Sequence, residues 1–333
     1  MKVLFITTPG EDYLSDGLLH GFKKLLGSES VIDYPKKEIL YNTVQPEIHA
    51  QVRGAGFTLY TGLLEDILID RFNILEKVKQ NYFTLIIFSD IHRQFGWFTQ
   101  LRPWLTSKNT IIIDGADSEK PYPNKSLWLK HSYYWSLPKA HKEFLYFKRE
   151  WTSQTFFNPL LNVLPKSSRQ WFSYTENIRP ISFSIPEEKI CKTIPEKIKD
   201  FTKHIVDPEV AAVVKESVVH YAFKNEADYY GDLQQSKFGI TTKRAGWDCL
   251  RHYELAANGV VLCFKDFDKK NPLCAPHDLN KSFIINYENA QDLMEQLNHL
   301  TPNQYDERMK KTLEWVKGKT TIKVAENVLA HIF

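Results

Sequence analysis

The residues best suited to chemistry crowd into one stretch, SKFGITTKRAGWDCLRHYELAANGVVLCF, from Ser236 to Phe264. Thr242, Lys243, Arg244 and Gly246 form a basic turn after an apolar segment. Two cations beside a glycine that admits close backbone approach are what a diphosphate requires. Arg251 and Glu254 follow at a spacing of three, on one face of a helix, so a carboxylate able to accept from ribose hydroxyls stands near a guanidinium able to grip phosphate. On a bare surface helix the same two residues would be an ion pair worth only ~0.2–0.5 kcal/mol. Tyr253, Ala256 and Ala257 on the other side, with Gly259 at the end, argue instead for a packed helix, on which charges need partners.

Other candidates surround this segment. Tyr229 and Tyr230 could stack on a nucleobase or simply fill core. His277, in the loop Cys274 to His277, could touch the same ligand or serve as a structural histidine. Cys249, His252, Cys274 and His277 include zinc-ligand types, but the first two fall on a packed helix, and no metal site is expected. Asp266, Phe267 and Asp268 have the D-x-D form that can hold a divalent metal on a diphosphate, and a charged turn explains them equally well. A general base for an acceptor hydroxyl is sought at strand ends in the first half. Asp90 and His92, after the apolar run Leu85 to Phe88, are the first choice; Asp114, Asp117 and His131 are alternatives, and each carboxylate could instead cap a helix.

The elements that must position these residues alternate. Unbroken apolar runs at Val3 to Ile6, Val31 to Tyr34, Leu85 to Phe88 and Thr110 to Ile113 read as buried strands of a parallel sheet, with helices at Leu14 to Leu26, ended by Gly27, and Ile69 to Lys79. Phe144 to Phe147 predicts another strand, and Pro180 to Pro186 an extended segment. Charges and two prolines in Glu187 to Lys199 mark a linker, so the expected units are 1–186 and 187–333. The alternation then restarts. Strands are predicted at Phe201 to Val206, Val218 to Phe223, Phe238 to Thr242, Val260 to Phe264 and Phe283 to Asn286. Between them fall helices at Ala227 to Gln235, Trp247 to Ala257, Ala290 to Leu300 and Gln304 to Lys317, and one capped by Asp207 with Pro208 in first position.

At 333 residues, 43% hydrophobic and 25% charged, the chain is a folded α/β protein with room for two such units. Aromatics, at 14%, concentrate between Trp97 and Trp171, with Trp104, Trp128, Tyr133, Tyr134, Trp135 and Trp151 among them; they serve either a ring-rich core or a sugar-binding face. Nothing approaches the ~20 apolar residues of a membrane span, no signal peptide is read at the start, and the four cysteines lack paired spacing, which together predict a cytoplasmic protein. A net charge of +3 admits peripheral contact with the anionic inner face of a membrane, but without a basic cluster no nucleic-acid partner is expected.

The segment RHYELAANGVVL, Arg251 to Leu262, resembles the glutamate-bearing helix of GT-B glycosyltransferases, above all group-one-like and spore-coat-type (CgeB-like) members, through the pattern Arg251, Glu254, Ala257, Gly259. The likeness spans Phe201 to Leu300; the first half matches in architecture alone. It implies two Rossmann-like parallel-sheet units facing a central cleft, a nucleotide-diphosphate sugar as donor, no other cofactor, and a saccharide or glycoconjugate acceptor, with a role in cell-surface polysaccharide synthesis. By the same likeness Glu254 binds the donor ribose, and Lys243, Arg244 and Arg251 bind its diphosphate. The fuller family pattern has a second glutamate where this chain has Gly246. A sugar-nucleotide epimerase, a catalytically silent nucleotide-binding protein and a DNA-base glucosyltransferase are the competing readings.

Overall fold

The computed structural model describes residues 1–45, 47–48, 52, 59–119, 140–152, 165 and 176–332. His131, Trp128, Tyr133, Tyr134, Trp135 and Trp171 lie outside the described residues. Two parallel sheets organise the chain. The first runs β2-β1-β3-β4-β5-β6, with β1 Val3–Ile6, β2 Val31–Tyr34, β3 Leu85–Phe88, β4 Thr110–Asp114, β5 Leu145–Lys148 and β6 Ile178–Pro180. The second runs β10-β9-β8-β7, with β7 Lys199–Phe201, β8 Ser236–Thr241, β9 Val261–Lys265 and β10 Ile285–Tyr287. All four residues of β1 and of β3 are buried, as strands covered on both faces require.

Helices cover the first sheet. They are α1 Tyr13–Leu26, α2 Ile74–Lys79, α3 Phe95–Leu101 and the short α4 Ala140–Glu143. Asp12 caps α1 by accepting from Ser15 N, and Gly27 ends it at φ 85°. The second sheet carries α5 Pro208–Val213, α6 Glu226–Gln235, α7 Leu250–Ala257, α8 Ala290–Asn298 and α9 Pro302–Lys317. Asp207 caps α5 through Glu209 N with Pro208 at its first turn, and Thr301 with Gln304 closes a capping box on α9.

A last helix, α10 Thr321–Ala330, lies not on the second sheet but along α1 of the first. Ile185 and Thr320 form a parallel bridge that brings the chain back, with Ile185 N donating to Lys319 O and Thr321 N donating to Ile185 O. The approach is close: a Cβ on Gly21 would sit 2.0 Å from Thr321 O, so only glycine fits. His20, buried beside it, lies 2.9 Å from Thr321 Oγ1 through Nδ1 and 3.2 Å from Glu188 through Nε2. One apolar cluster therefore extends from Phe5, Leu18 and Phe22 through Tyr60 and Ile185 to Tyr253, Leu262, Trp315 and Val328, joining both sheets.

Several sequence expectations change. Val218 to Phe223 is not a strand; a single bridge from Val218 to His204 is all the pairing it makes there, and Val219 and Tyr221 remain exposed. The helix expected from Trp247 starts only at Leu250, because residues 243–249 form a loop bound to the first sheet, as described below. Of the aromatic surplus, Trp97 packs edge-on against Tyr34 at 5.1 Å, and Lys79 lies over Trp104. No helix among the described residues is long and apolar enough to cross a membrane.

Candidate nucleotide site

A cavity of about 1190 Å³ opens beyond the carboxyl ends of the strands, lined from both sheets. From the first come the turn Gly10 to Leu14 after β1, Asp90, His92 and Arg93 after β3, Gly115 to Asp117 after β4, and Arg149 after β5. From the second come His204 and Val206 after β7, Val219 to Tyr221, Thr241 to Gly246 with Lys243 left out, and Asp248 to Arg251 with Glu254. The structure thus brings Asp90, His92, Thr242, Arg244, Gly246, Arg251 and Glu254 to one cavity.

Glu254 projects from α7 into this space and accepts from Tyr229 Oη at 3.2 Å. Burial raises its carboxyl to about 7, a rise that Arg251 and the Tyr229 hydroxyl only partly offset. Arg251 meets the buried His204 at 3.2 Å from Nδ1, and His204 Nε2 lies 3.2 Å from Val219 O. Nδ1 is therefore the acceptor and Nε2 carries the proton. Burial and the neighbouring guanidinium keep this imidazole neutral, with its pKa lowered to about 4. Arg251, whose charge acts on Glu254 from beyond ion-pair distance, faces no carboxylate within that distance among the described residues, and neither does Arg244, which is exposed. Cys249 caps α7 without a side-chain hydrogen bond, so the helix presents its positive end at the cavity wall.

Three expected contacts fall elsewhere. Lys243 is exposed and lies over the Trp247 ring at 5.2 Å, off the cavity, because the loop turns its side chain outward. Tyr230 packs on Tyr229, centroids 5.5 Å apart, under Lys189; its neighbour Tyr229 is the one that reaches Glu254. His277 lies 3.1 Å from Leu273 O and takes Trp315 Nε1 on its own carbonyl, which makes it a local brace whose pKa is lowered to about 4 by burial. The D-x-D carboxylates are likewise spent locally: Asp266 pairs with Lys269, and Asp268 with Lys281 and Asn286. His252 links Thr241 Oγ1 to Trp247 O through its two nitrogens and stacks on Phe264 at 4.9 Å. Among the described residues no three His, Cys, Asp or Glu side chains group as metal ligands.

On the facing wall, Asp90 is committed to its own turn, accepting from His92 N at 3.0 Å and from the Arg93 guanidinium, which also grips Asp12. His92 Nε2 lies 3.2 Å from Asp114 Oδ1. Asp114 is fully buried, accepts from Lys148 Nζ at 2.9 Å and from the Tyr146 hydroxyl, and is held well below the ordinary carboxylate range by Lys148 and His92 despite its burial. Below the Gly10 turn a buried Lys37 lies 2.9 Å from Asp16 and donates to the carbonyls of Thr8 and Gly10, fixing that edge of the cavity.

Sequence reasoning missed Val206, Val219 and Tyr221, whose apolar surfaces open onto the cavity beside Arg251. Both stretches read as strands, Phe201 to Val206 and Val218 to Phe223, which hid their place at the cavity. It also missed Asp12, since a cap residue and a cavity residue look alike in sequence.

No protein-family model matches the chain, and no curated protein matches it. Among solved structures the chain is similar to the crystal structure of Anabaena Alr3699/HepE in complex with UDP, with a TM-score of 0.57 and 8% sequence identity over 100% of this chain and 99% of that one. At that identity the likeness is one of fold.

Proposed function

We propose that this chain is a glycosyltransferase of the two-lobed GT-B type, with units at 1–186 and 187–333, that moves a sugar from a nucleoside-diphosphate donor to an acceptor hydroxyl on a saccharide or glycoconjugate. The observation that carries this reading is a pair of guanidiniums, the exposed Arg244 and the half-buried Arg251, with no carboxylate of the described residues within ion-pair distance, in a cavity that also holds the half-buried Glu254. Arg251 is half withdrawn from water, which is costly unless an anion joins it, and a diphosphate at the positive end of α7 would do so within reach of the exposed Arg244. The fold shared with a UDP-complexed protein supports the same assignment.

In this reading Glu254 accepts from the ribose hydroxyls while Tyr229 fixes its rotamer, and the base lies against Val206, Val219 and Tyr221. His92 takes the proton of the acceptor hydroxyl as its oxygen bonds to the anomeric carbon, and the nucleoside diphosphate leaves with the electrons of the broken C–O bond. Asp114 suits this role for His92 because its fixed negative charge stabilises the imidazolium that forms. Asp90, already clamped by Arg93, instead shapes the turn.

Thermal unfolding with UDP, GDP and ADP tests the binding half. A nucleotide at 100 times its Kd should stabilise wild type by about 2.7 kcal/mol, and the effect should vanish in Arg251→Ala. Incubation with nucleotide sugars should then release nucleoside diphosphate. Binding without turnover for any donor would favour a silent nucleotide-binding protein, net donor interconversion would favour an epimerase, and no stabilisation by any nucleotide would sink the reading.

A further inference from the structure

The loop that carries Arg244 is held in shape by a carboxylate from the other sheet. Glu150, one residue beyond Arg149 at the end of β5 and 4% exposed, accepts through Oε1 from Trp247 N at 2.9 Å, from Asp248 N at 3.2 Å and from Arg149 NH1 at 3.0 Å. It thus occupies backbone N–H groups just ahead of α7 that would otherwise be available to an anion. Arg149, 2% exposed, adds NH1 to Asp248 O at 3.2 Å, Nε to Gly115 O at 3.0 Å, and a contact with Asp117. Asp248 returns the tie by accepting from Phe183 N at 2.7 Å. The backbone is fastened too, by the antiparallel bridge of Glu150 with Cys274 and by Ala275 N donating to Arg149 O.

Gly246 belongs to the same device. A Cβ there would lie 2.4 Å from Glu150 Oε1 and 2.8 Å from Asp117 Oδ1. The sequence reading gave this glycine to close approach by phosphate; the structure gives it to close approach by Glu150.

From this arrangement we infer that Glu150 is a positioning residue for the donor site: by holding the amides of Trp247 and Asp248 it sets the loop that aims Arg244 and opens the end of α7. Glu150 does not touch the donor. It acts through the loop, and the inference rests on the donor assignment made above. Loss of its charge should therefore weaken donor binding while leaving the chemistry on bound donor nearly intact.

The test uses full-length wild type, Glu150→Gln, Glu150→Ala, Gly246→Ala and, as a control for the donor assignment itself, Arg251→Ala. Hydrogen exchange without nucleotide should be faster at the Trp247 and Asp248 amides in Glu150→Ala than in wild type, with the strands unchanged. The Kd for UDP, or for whichever nucleotide wild type binds, should rise about tenfold in Glu150→Gln and in Gly246→Ala, and KM for donor hydrolysis should rise alike while kcat changes less than twofold. If Arg251→Ala loses nucleotide binding but Glu150→Gln and Gly246→Ala bind as wild type does, the positioning role is overturned and the donor site stands. Unchanged exchange in Glu150→Ala overturns it as well. A wild type that binds no nucleotide overturns both.

Discussion

Glu254 shows what a carboxyl withdrawn from water costs its host. Its carboxyl is raised from 4.5 to about 7 because burial disfavours the charge more than Arg251 and Tyr229 favour it. The folded state thus takes up a proton more readily than the unfolded chain. The stability linked to this group is complete below pH 4.5 and is lost as pH rises towards 7. Glu254→Gln, which carries no charge at any pH, should therefore raise Tm without nucleotide at pH 8 by about 2–4 °C, the shift that ~1 kcal/mol gives in a domain of ordinary size. The same variant should lose most nucleotide affinity. A scan in which it both melts lower and binds as wild type would refute this account of the residue. A second outcome follows from the same proton: with ribose hydroxyls held by the carboxylate, as proposed, nucleotide affinity should fall as pH drops from 8 to 6, with its midpoint near 7, when titrated calorimetrically across that range. That Glu254 and Arg251 share one side of α7 and reach the same cavity was legible in the sequence, because a spacing of three on a packed helix puts two charges on one face. That Lys243, Tyr230 and His277 stay off the cavity was not, since nothing local says whether a side chain in a loop or on the flank of a helix turns into a crevice or away from it.

Among the elements, strands with unbroken apolar runs declared themselves. β1, β3 and β4 stand where the sequence put them because runs of four or so apolar residues, mostly β-branched and aromatic and too short for a helix, suit a doubly covered sheet. Val218 to Phe223 misled because a short run that is apolar except at His220 reads as a strand, and the border of an apolar cavity wall uses the same residues. The start of α7 was read three residues early for a related reason: Trp247 and Asp248 spend their amides on Glu150, a partner 97 and 98 positions away. The seam of α1 and α10 is equally invisible in local pattern, and it makes a sharp prediction. Gly21→Ala forces a methyl into the carbonyl of Thr321, with no flexible side chain to yield, and should cost ~1–3 kcal/mol by overpacking. Urea unfolding would read this as a lower midpoint at unchanged slope; an equal midpoint would mean that α10 does not sit there.

Across the whole molecule, the two sheets share one apolar cluster and a buried set of hydrogen bonds made by Arg149, Glu150 and Asp248, so the chain should behave as one cooperative unit rather than as two. Calorimetry should give a single transition, and removal of residues 320–333 should lower its Tm by at least 10 °C, because α1 would lose its cover and Ile185 its bridge. Two well separated transitions in the full chain would contradict this. The cavity gains from the arrangement, for residues drawn from opposite ends of the sequence keep their spacing only if the sheets hold still.

The helix that covers α1 also sets a schedule for synthesis. His20 and Thr321, neighbours in the finished molecule, are 301 positions apart in the chain. At ~5–20 residues per second the ribosome needs roughly 15–60 s to go from one to the other. Over that interval the emerging α1, and then the first sheet once β6 is made, carries an oily flank with nothing yet made to shield it, a natural landing place for chaperones.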